Sequence, residues 1–357
     1  MKKLFCFALS LVMLLGLIAC GNETAQTPNK TETTEDKPVG TSVTQTENKT
    51  EIAAPAEEVK REYLSVHAAT GPATSVVYAV VTNVASIWED TIPEYTLIPD
   101  VTTGSTESMN LIMNGDVVIA SGQNDVTYSL YTGTREYEGK GTEGKINFLC
   151  GGYYTVHHMI CAKGIEANDL RDLKGKRVGV ASGVMANFYW PLYLKAFGLT
   201  EQDFKSVTVM SFNDIKAGLE DGILDFGIHS LSVPTSTVSD LVLNAGVKIL
   251  SIPDDVRAQM IQENPYFCEY TITADKYETG YDINTIAIVN GFNCSPDADE
   301  QMIYDFVKTL FEHHDDIALV HPNAKNFGNP ETALLGQIIP IHPGAERYFR
   351  EIGLITN

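Results

Sequence analysis

The stretch that decides the fold is Tyr63–Trp88, which reads YLSVHAA, then TGPATS, then VVYAVVTNVASIW. The first segment has the apolar and β-branched content of a strand. The last segment places apolar side chains three and four positions apart, which is the spacing of a helix. In the polar loop between them, Thr74 or Ser75 is the expected helix N-cap. A strand, a short polar loop and a helix in this order are the repeating unit of an α/β fold.

The same unit recurs along the chain and predicts an α/β protein with two similar lobes. In the first lobe, the strand Tyr95–Val101 precedes a helix that ends at Gly115, and Val117–Ala120 is a further strand. The strands expected in the rest of the chain are Lys176–Ala181, Val207–Phe212, Ile223–Ile228 and Thr285–Val289. The helices expected there run from Met185 to Phe197, from Asn213 to Glu220 and from Asp299 to Val320.

The N-terminal segment predicts export and a lipid anchor. Residues 1–19 have two lysines followed by a short apolar run, which is typical of a secretory signal and too short for an ordinary membrane span. The run ends Leu-Ile-Ala-Cys, the pattern of a bacterial lipoprotein, so Cys20 is the expected site of lipidation. An uncleaved anchor is the alternative. Residues 20–60 contain no aromatic side chain and are predicted to be a disordered tether.

The charge of the chain excludes one class of partner. The chain carries 25 Lys and Arg against 46 Asp and Glu, a net charge of −21. Nucleic acid phosphates require a basic surface, so we expect no nucleic acid partner. The acidity favours a body that stays soluble and does not bind anionic lipid.

No motif in the sequence predicts catalysis, a cofactor or a metal site. Residues 139–144 spell G-x-G-x-x-G, but a polar stretch precedes them and a strand follows, so we interpret them as a surface loop. His157 and His158 adjoin in a predicted strand, where neighbouring side chains face opposite ways and do not share one ion. Cys150, Cys161, Cys268 and Cys294 form no C-x-x-C pair, and free thiols are favoured over disulfides. We therefore expect no enzyme.

Polar residues in the loops after the strands are the candidate ligand contacts. In an open α/β sheet these loops lie at the carboxyl ends of the strands, where ligands bind. Each loop also exposes the unpaired N–H groups of a helix start, which suit a carboxylate. The alternative is that the Ser and Thr residues only cap their helices. The candidates in the first lobe are Thr70, Gly71, Ser75, Tyr78, Thr103, Gly104, Ser105, Gln123 and Asn124.

The second lobe supplies fewer candidates. Ser182, Gly183 and Asn187 follow one strand, and Asp225 is expected with His229 at the end of another. Asp125 in the first lobe either holds a ligand amine or caps its helix, and we favour the cap.

Three motifs give the chain a family resemblance. They are Gly115 with Gln123-Asn124-Asp125-Val126, then Asp172–Val178 (DLKGKRV), and Ile339–Tyr348 (IPIHPGAERY). With these motifs, residues 62–353 resemble the TAXI branch of the solute receptors of TRAP transporters. Two ligand loops depart from the family pattern, with Pro72, Ala73 and Val77 in the first and Val184-Met185 in the second.

The resemblance implies a type II periplasmic-binding-protein-like fold with a hinge between the lobes. The expected lobe I comprises residues 61–156 and 286–357, and the expected lobe II comprises residues 157–285. The resemblance also implies a monomer that binds a small organic anion, such as glutamate or another carboxylate, and delivers it to a TRAP-type permease. The open alternatives are a binding lipoprotein of an ATP-driven transporter and a secreted hydrolase.

Overall fold

A computed structural model describes residues 64–356. The predicted signal segment 1–19, the lipidation site Cys20 and the tether 20–60 lie outside these residues. Among the helices of the described part, none combines the length and the apolar character needed to cross a membrane.

The strands contain β-branched and aromatic side chains between polar loops. Their bounds are β1 (Leu64–Ala69), β2 (Tyr95–Asp100), β3 (Ile119–Gln123), β4 (Asn147–Cys161), β5 (Arg177–Ala181), β6 (Ser206–Met210), β7 (Phe226–Leu231), β8 (Lys248–Leu250), β9 (Cys268–Ile272) and β10 (Ile283–Cys294).

The helices lie between and after these strands. Their bounds are α1 (Val76–Thr91), α2 (Ser105–Asn114), α3 (Asn124–Thr132), α4 (Trp190–Phe197), α5 (Phe212–Glu220), α6 (Ser236–Asp240), α7 (Asp254–Glu263), α8 (Glu300–Glu312), α9 (His314–Ala318) and α10 (Pro343–Glu351). A π-helical turn at Met185–Tyr189 leads directly into α4.

The strands form one mixed sheet whose two halves are joined by β4 and β10. The main order is β2-β1-β3-β10-β4-β7-β5-β6, with β8 beside β4 and β9 beside β10. One end of β10 pairs with β3, while its other end pairs with β9. The first half of β4 pairs with β10, and its last residues pair with β7 and β8. The two long antiparallel strands therefore run from one half of the sheet into the other.

Each half of the sheet has its own hydrophobic core, which confirms the predicted two-lobed α/β architecture. Buried residues of the second lobe, all between Val156 and Ile288, form one cluster. Buried residues of the first lobe form a second cluster drawn from 66–150 and 292–349, which includes Trp88 and Phe306. The burial of such aromatic and aliphatic side chains is the main favourable term for each lobe.

The strands cross between the lobes at glycines that tolerate no side chain. A Cβ on Gly151 would lie 2.4 Å from the Thr332 carbonyl oxygen, and one on Gly291 would lie 2.5 Å from the Cys150 carbonyl oxygen. The register of β4 against β10 shifts between Val289 and Gly291. Close backbone approach and a local irregularity therefore coincide where the chain passes from one lobe to the other.

Several predicted element boundaries are right and others are wrong. Ser75 is the N-cap of α1, with its Oγ accepting a hydrogen bond from the Tyr78 amide at 3.1 Å. Gly115 ends α2 in the left-handed conformation. The strand expected at Ile223–Ile228 begins only at Phe226, because residues before it complete the turn after α5. The long helix expected up to Val320 is interrupted at His313, where α8 ends and α9 begins.

Candidate functional site

The loops after β1 and β2 use most of their polar groups to hold each other. The Thr70 hydroxyl donates to the Asp100 carbonyl at 3.0 Å, and the Gly71 amide donates to Thr102 Oγ1 at 3.1 Å. The Ser75 hydroxyl donates to the Thr70 carbonyl at 2.9 Å, in addition to capping α1. Gly71 adopts a φ of +81°, which favours glycine. These candidates shape the loop, and their side chains are already bonded within it.

The loop before α2 is organised in the same way. The Thr103 hydroxyl donates to Glu107 at 2.6 Å, and Glu107 also accepts from the Thr103 amide at 2.7 Å. These bonds lower the pKa of the Glu107 carboxyl. Ser105 Oγ accepts from the Gln123 amide at 3.1 Å, which ties the start of α2 to the end of β3. Gly104, with a φ of +151°, precedes the helix. The loops of β1, β2 and β3 are thus brought together at one edge of the first lobe.

Two candidates of the first lobe keep a polar group that has no partner within residues 64–356. They are the half-buried Tyr78, on the first turn of α1, and the half-buried Gln123, at the end of β3. Asn124 differs from them because its amide donates to the Tyr266 carbonyl at 2.9 Å and its oxygen accepts from the Val289 amide at 3.1 Å. The Asn124 side chain is buried and fully bonded, so it does not match the expected role of ligand contact.

The second-lobe candidates after β5 are exposed. Ser182 and Gly183 lie between β5 and the π-helical turn, Asn187 lies within that turn, and the Ser182 backbone amide donates to the Met210 carbonyl at 2.9 Å. Gly183 has a φ of +86°, so it makes the turn out of the strand. The Ser182 hydroxyl and the side-chain amide of Asn187 have no partner within the described chain, which leaves both side chains available to a ligand.

The predicted placement of Asp225 at the end of a strand is wrong. Asp225 precedes β7, and it accepts from Arg177 Nε at 3.0 Å and from Arg177 Nη2 at 2.7 Å. The bonds to Arg177 lower the pKa of the Asp225 carboxyl. β5 and β7 are parallel, and Arg177 begins β5 whereas Ser182 follows it. Asp225 therefore lies at the opposite edge of the second lobe from Ser182. His229 lies within β7, where the centre of its ring lies 4.9 Å from that of the Phe212 ring, with the two planes tilted by 46°.

A contact that sequence reasoning missed joins the two lobes beside α3, and we call it the α3 contact. Asp125, which is fully buried, accepts from Arg135 Nη1 at 3.0 Å. The Arg135 guanidinium lies 3.6 Å from the centre of the Phe188 ring in the second lobe. The expected role of Asp125 as a helix cap is wrong, because its carboxylate serves this ion pair.

Tyr189 extends the α3 contact into the second lobe. Burial raises the pKa of its hydroxyl well above the usual range, and the Asp125 carboxylate adds to that shift. Neither Tyr189 Oη nor Asp125 Oδ1 completes a hydrogen bond within the described chain. Tyr128 on α3 also faces Tyr266, with ring centres 6.1 Å apart. The only sequence signal for this contact was the acidic residue in the first turn of α3, because its partner Arg135 is ten positions away.

A second interlobe feature lies at the crossing strands, and we call it the hinge cavity. It has a volume of about 340 Å³. Tyr153 and Tyr154 of β4 line it, together with residues of both lobes. Beside it, the Asn323 amide of the first lobe lies 3.4 Å from Ser232 Oγ of the second. None of the predicted site residues lines this cavity.

The histidines behind the hinge cavity are buried and neutral. His158 Nδ1 lies 2.9 Å from the Val156 carbonyl, and His158 Nε2 lies 3.0 Å from the Tyr277 hydroxyl. Desolvation lowers the pKa of His158 to about 4 and that of His157 to about 3. His157 instead bonds the Tyr193 hydroxyl at 3.0 Å. The part of the chain that the structure describes contains no group of three or more His, Cys, Asp or Glu residues placed to hold a metal ion.

The four cysteines of residues 64–356 form no disulfide. Cys150, Cys161, Cys268 and Cys294 are all free thiols, as the sequence favoured. Burial raises the pKa of Cys150 and of Cys161 to about 12. Thiols of this kind are packed as small apolar groups and are poor nucleophiles.

Comparison with known proteins assigns the family. Residues 68–353 match the NMT1-like family, and the chain belongs to it. The match covers both lobes and both crossing strands. It does not single out the TAXI branch that the sequence motifs resemble.

Solved structures with a similar chain arrangement are distant. The aliphatic sulphonate binding protein SsuA from Escherichia coli is 14% identical, with a TM-score of 0.42 over 81% of this chain and 78% of that one. The alkanesulfonate-binding protein from Xanthomonas axonopodis pv. citri, bound to MOPS, is 13% identical, with a TM-score of 0.40 over 81% of this chain and 84% of that one. A protein from Bacillus subtilis, described as a probable amino-acid ABC transporter extracellular-binding protein, is 13% identical. Its TM-score is 0.42 over 75% of this chain and 99% of that one.

Proposed function

We propose that this protein is an extracytoplasmic solute-binding protein that captures a small organic anion and passes it to a membrane transporter. The observation that carries the proposal is that two lobes face each other and that each keeps polar side chains without a hydrogen-bond partner in the described chain. Tyr78 and Gln123 supply these groups in the first lobe, and Ser182 and Asn187 supply them in the second. Closing the lobes on a solute would let each group find a partner away from water.

Helix starts support an anion as the solute. The first turns of α1, α2 and α3 follow β1, β2 and β3, and their N–H groups carry partial positive charge. Val184, half-buried after β5, favours a solute that also has an apolar portion, whereas Val77 and Met185 are buried in the cores of their lobes. A carboxylate of this kind, an amino acid included, fits both features.

The energy source of the transporter is the second part of the proposal. We place an ATP-driven transporter first, because residues 68–353 match the NMT1-like family and this match does not single out the TAXI branch. A TRAP-type permease, which the C-terminal motif Ile339–Tyr348 supports, comes second. Solute uptake by cells that express the protein and its transporter would separate them: collapse of the ion gradient at constant ATP should abolish TRAP uptake and spare ATP-driven uptake.

The identity of the solute is tested by native mass spectrometry of the purified protein and by a thermal-shift screen of amino acids and organic acids. Binding to the folded state alone raises the melting temperature. Gln123→Ala should weaken the stabilisation without unfolding the protein, whereas Gln202→Ala on the exposed surface should leave it unchanged. If only neutral or cationic solutes stabilise the protein, the anion assignment is wrong.

Attachment to the membrane through a lipid on Cys20 completes the proposal. The support is the Leu-Ile-Ala-Cys sequence after a short apolar run. Cys20→Ala should release the protein or leave its precursor unprocessed, as seen in membrane fractions by immunoblot. A processed protein that stays with the membrane despite this substitution would contradict the anchor.

A further inference from the structure

The hinge cavity is lined by hydrogen-bond donors that the fold does not use. Tyr153, Tyr154 and Tyr270 line it, and the hydroxyl of each has no hydrogen-bond partner within residues 64–356. The ring of Tyr154 packs edge-on against Tyr270 at 4.9 Å, and the ring of Tyr153 against Phe327 at 6.0 Å. Neighbouring rings therefore hold these tyrosines in place, while their hydroxyl ends remain available.

Two lysines add positive charge to the same cavity. Lys276 pairs with Asp275 at 2.8 Å, which leaves further donors on its ammonium group. Lys325, from the other lobe, is exposed and forms no ion pair with any residue of the described chain. The residues that line the cavity include no carboxylate. The lining is therefore positively charged, whereas the chain as a whole has a net charge of −21.

The position of the cavity couples it to lobe closure. Tyr153 and Tyr154 lie on the crossing strand β4, Tyr270 and Lys276 belong to the second lobe, and Lys325 belongs to the first. An acceptor bound between Lys325 and the second-lobe residues would contact both lobes at once. A volume of about 340 Å³ lies within the range of small-molecule sites.

We propose that the hinge cavity binds the acidic group of the solute. The group is an oxyanion of a small organic acid, a carboxylate or a sulfonate. Its oxygens accept hydrogen bonds from the tyrosine hydroxyls and from Lys325. A tyrosine hydroxyl is protonated at neutral pH, and burial raises the pKa of Tyr153 and of Tyr154 further, to about 12. The inference rests on the proposed function and names the residues that select the anion, none of which the sequence singled out.

The test uses the full mature chain and the organic acid that most raises its melting temperature in a screen of carboxylates, amino acids and alkylsulfonates. Calorimetric titration then compares wild type with Lys325→Met and with a Tyr154→Phe, Tyr270→Phe double variant. Each should lose about tenfold or more in affinity, since hydrogen bonds to a charged group are strong. Lys205→Met is the matched control, because Lys205 is exposed in the second lobe and its replacement removes the same charge.

Acetylation of lysines with acetic anhydride, read by mass spectrometry, locates the bound acid independently. The acid should protect Lys325 and leave Lys205 reactive. Wild-type affinity in both cavity variants, with Lys325 unprotected, overturns the inference; weaker binding in Gln123→Ala would then leave the proposed function standing. Failure of every acid to stabilise wild type overturns both proposals. The tyrosine variants remove hydroxyls that have no partner in the fold, so their unliganded melting temperatures should match wild type and confirm that they are folded.

Discussion

The α3 contact and the hinge cavity are two places where the same lobes meet, and their chemistry is opposite. At the α3 contact, Asp125 is fully buried and pairs with Arg135, whose guanidinium covers the Phe188 ring. The hinge cavity is lined by tyrosines and by Lys325, whose hydroxyl and ammonium groups have no partner within the described chain. The α3 contact pairs its charged groups with each other, whereas the hinge cavity keeps hydrogen-bond donors that are available to a solute.

This difference indicates that one interlobe contact holds the fold in position and that the other is suited to binding. A buried ion pair with an aromatic partner fixes the relative position of the groups that form it, because separating them leaves a charge without a partner. A cavity with unused donors gains free energy only when an acceptor arrives. On this basis the α3 contact should contribute stability to the fold, and the cavity tyrosines should contribute none.

The largest effect is expected from Asp125→Ala. It should lower the free energy of unfolding by about 3 kcal/mol, because the Arg135 guanidinium loses its buried partner. Urea unfolding followed by circular dichroism measures the change. Asp116→Ala, at an exposed position, is the control and should stay within about 0.5 kcal/mol of wild type. Equal losses in the two variants would show that the α3 contact stabilises nothing.

Asn124→Ala should cost about 2 to 3 kcal/mol, since it leaves the Tyr266 carbonyl and the Val289 amide without their buried partner. Asn187→Ala removes the same side chain from an exposed position in the second lobe and should change stability by less than about 0.5 kcal/mol. The same urea experiment compares them. If Asn124→Ala unfolds like wild type and instead loses solute affinity, the earlier assignment of Asn124 to the ligand site is restored.

Acidification should lower the free energy of unfolding through the buried His158. The folded-state pKa of His158 is about 4 and its unfolded value is about 6.5, so the folded state disfavours the charged imidazole. The contribution of the neutral His158 imidazole to the free energy of unfolding is fully present above pH 6.5 and is lost as the pH falls towards 4. Between pH 7 and pH 5, His158 alone should account for about 2 kcal/mol. Urea midpoints at both pH values should draw closer together in His158→Gln, and an unchanged difference would exclude His158 as the cause.

The smallest effects compare two tyrosines near the same cavity. Tyr277→Phe should lose about 1 kcal/mol, because the Tyr277 hydroxyl bonds His158 at 3.0 Å and accepts from the Thr235 amide at 3.2 Å. Tyr154→Phe should leave stability unchanged, since its hydroxyl has no partner in the described chain. Thermal unfolding without solute resolves the pair. A loss in Tyr154→Phe as large as that in Tyr277→Phe would contradict the cavity's assignment as a site of unused donors.

The sequence by itself determined the elements and the fold class. Helical spacing at Val76–Trp88, the cap at Ser75 and the glycine at Gly115 predicted local structure that the fold retains, because caps and periodicity act over a few residues. It also identified Gln123 and Ser182 as loop residues at strand ends. Asp225 was misplaced because the turn after α5 uses three more residues than the strand pattern suggested.

Only the tertiary structure decided which polar groups already have hydrogen-bond partners and which remain available. Thr70 and Asn124 look like Gln123 and Asn187 in sequence, yet their hydrogen bonds are completed by residues that become neighbours only on folding. Arg135 lies over the Phe188 ring, and Lys325 lines the same cavity as Tyr154 and Tyr270, although these residues are far apart in the chain. Hydrogen bonding and charge pairing depend on distances of a few ångströms, and only the packing of the two lobes sets those distances.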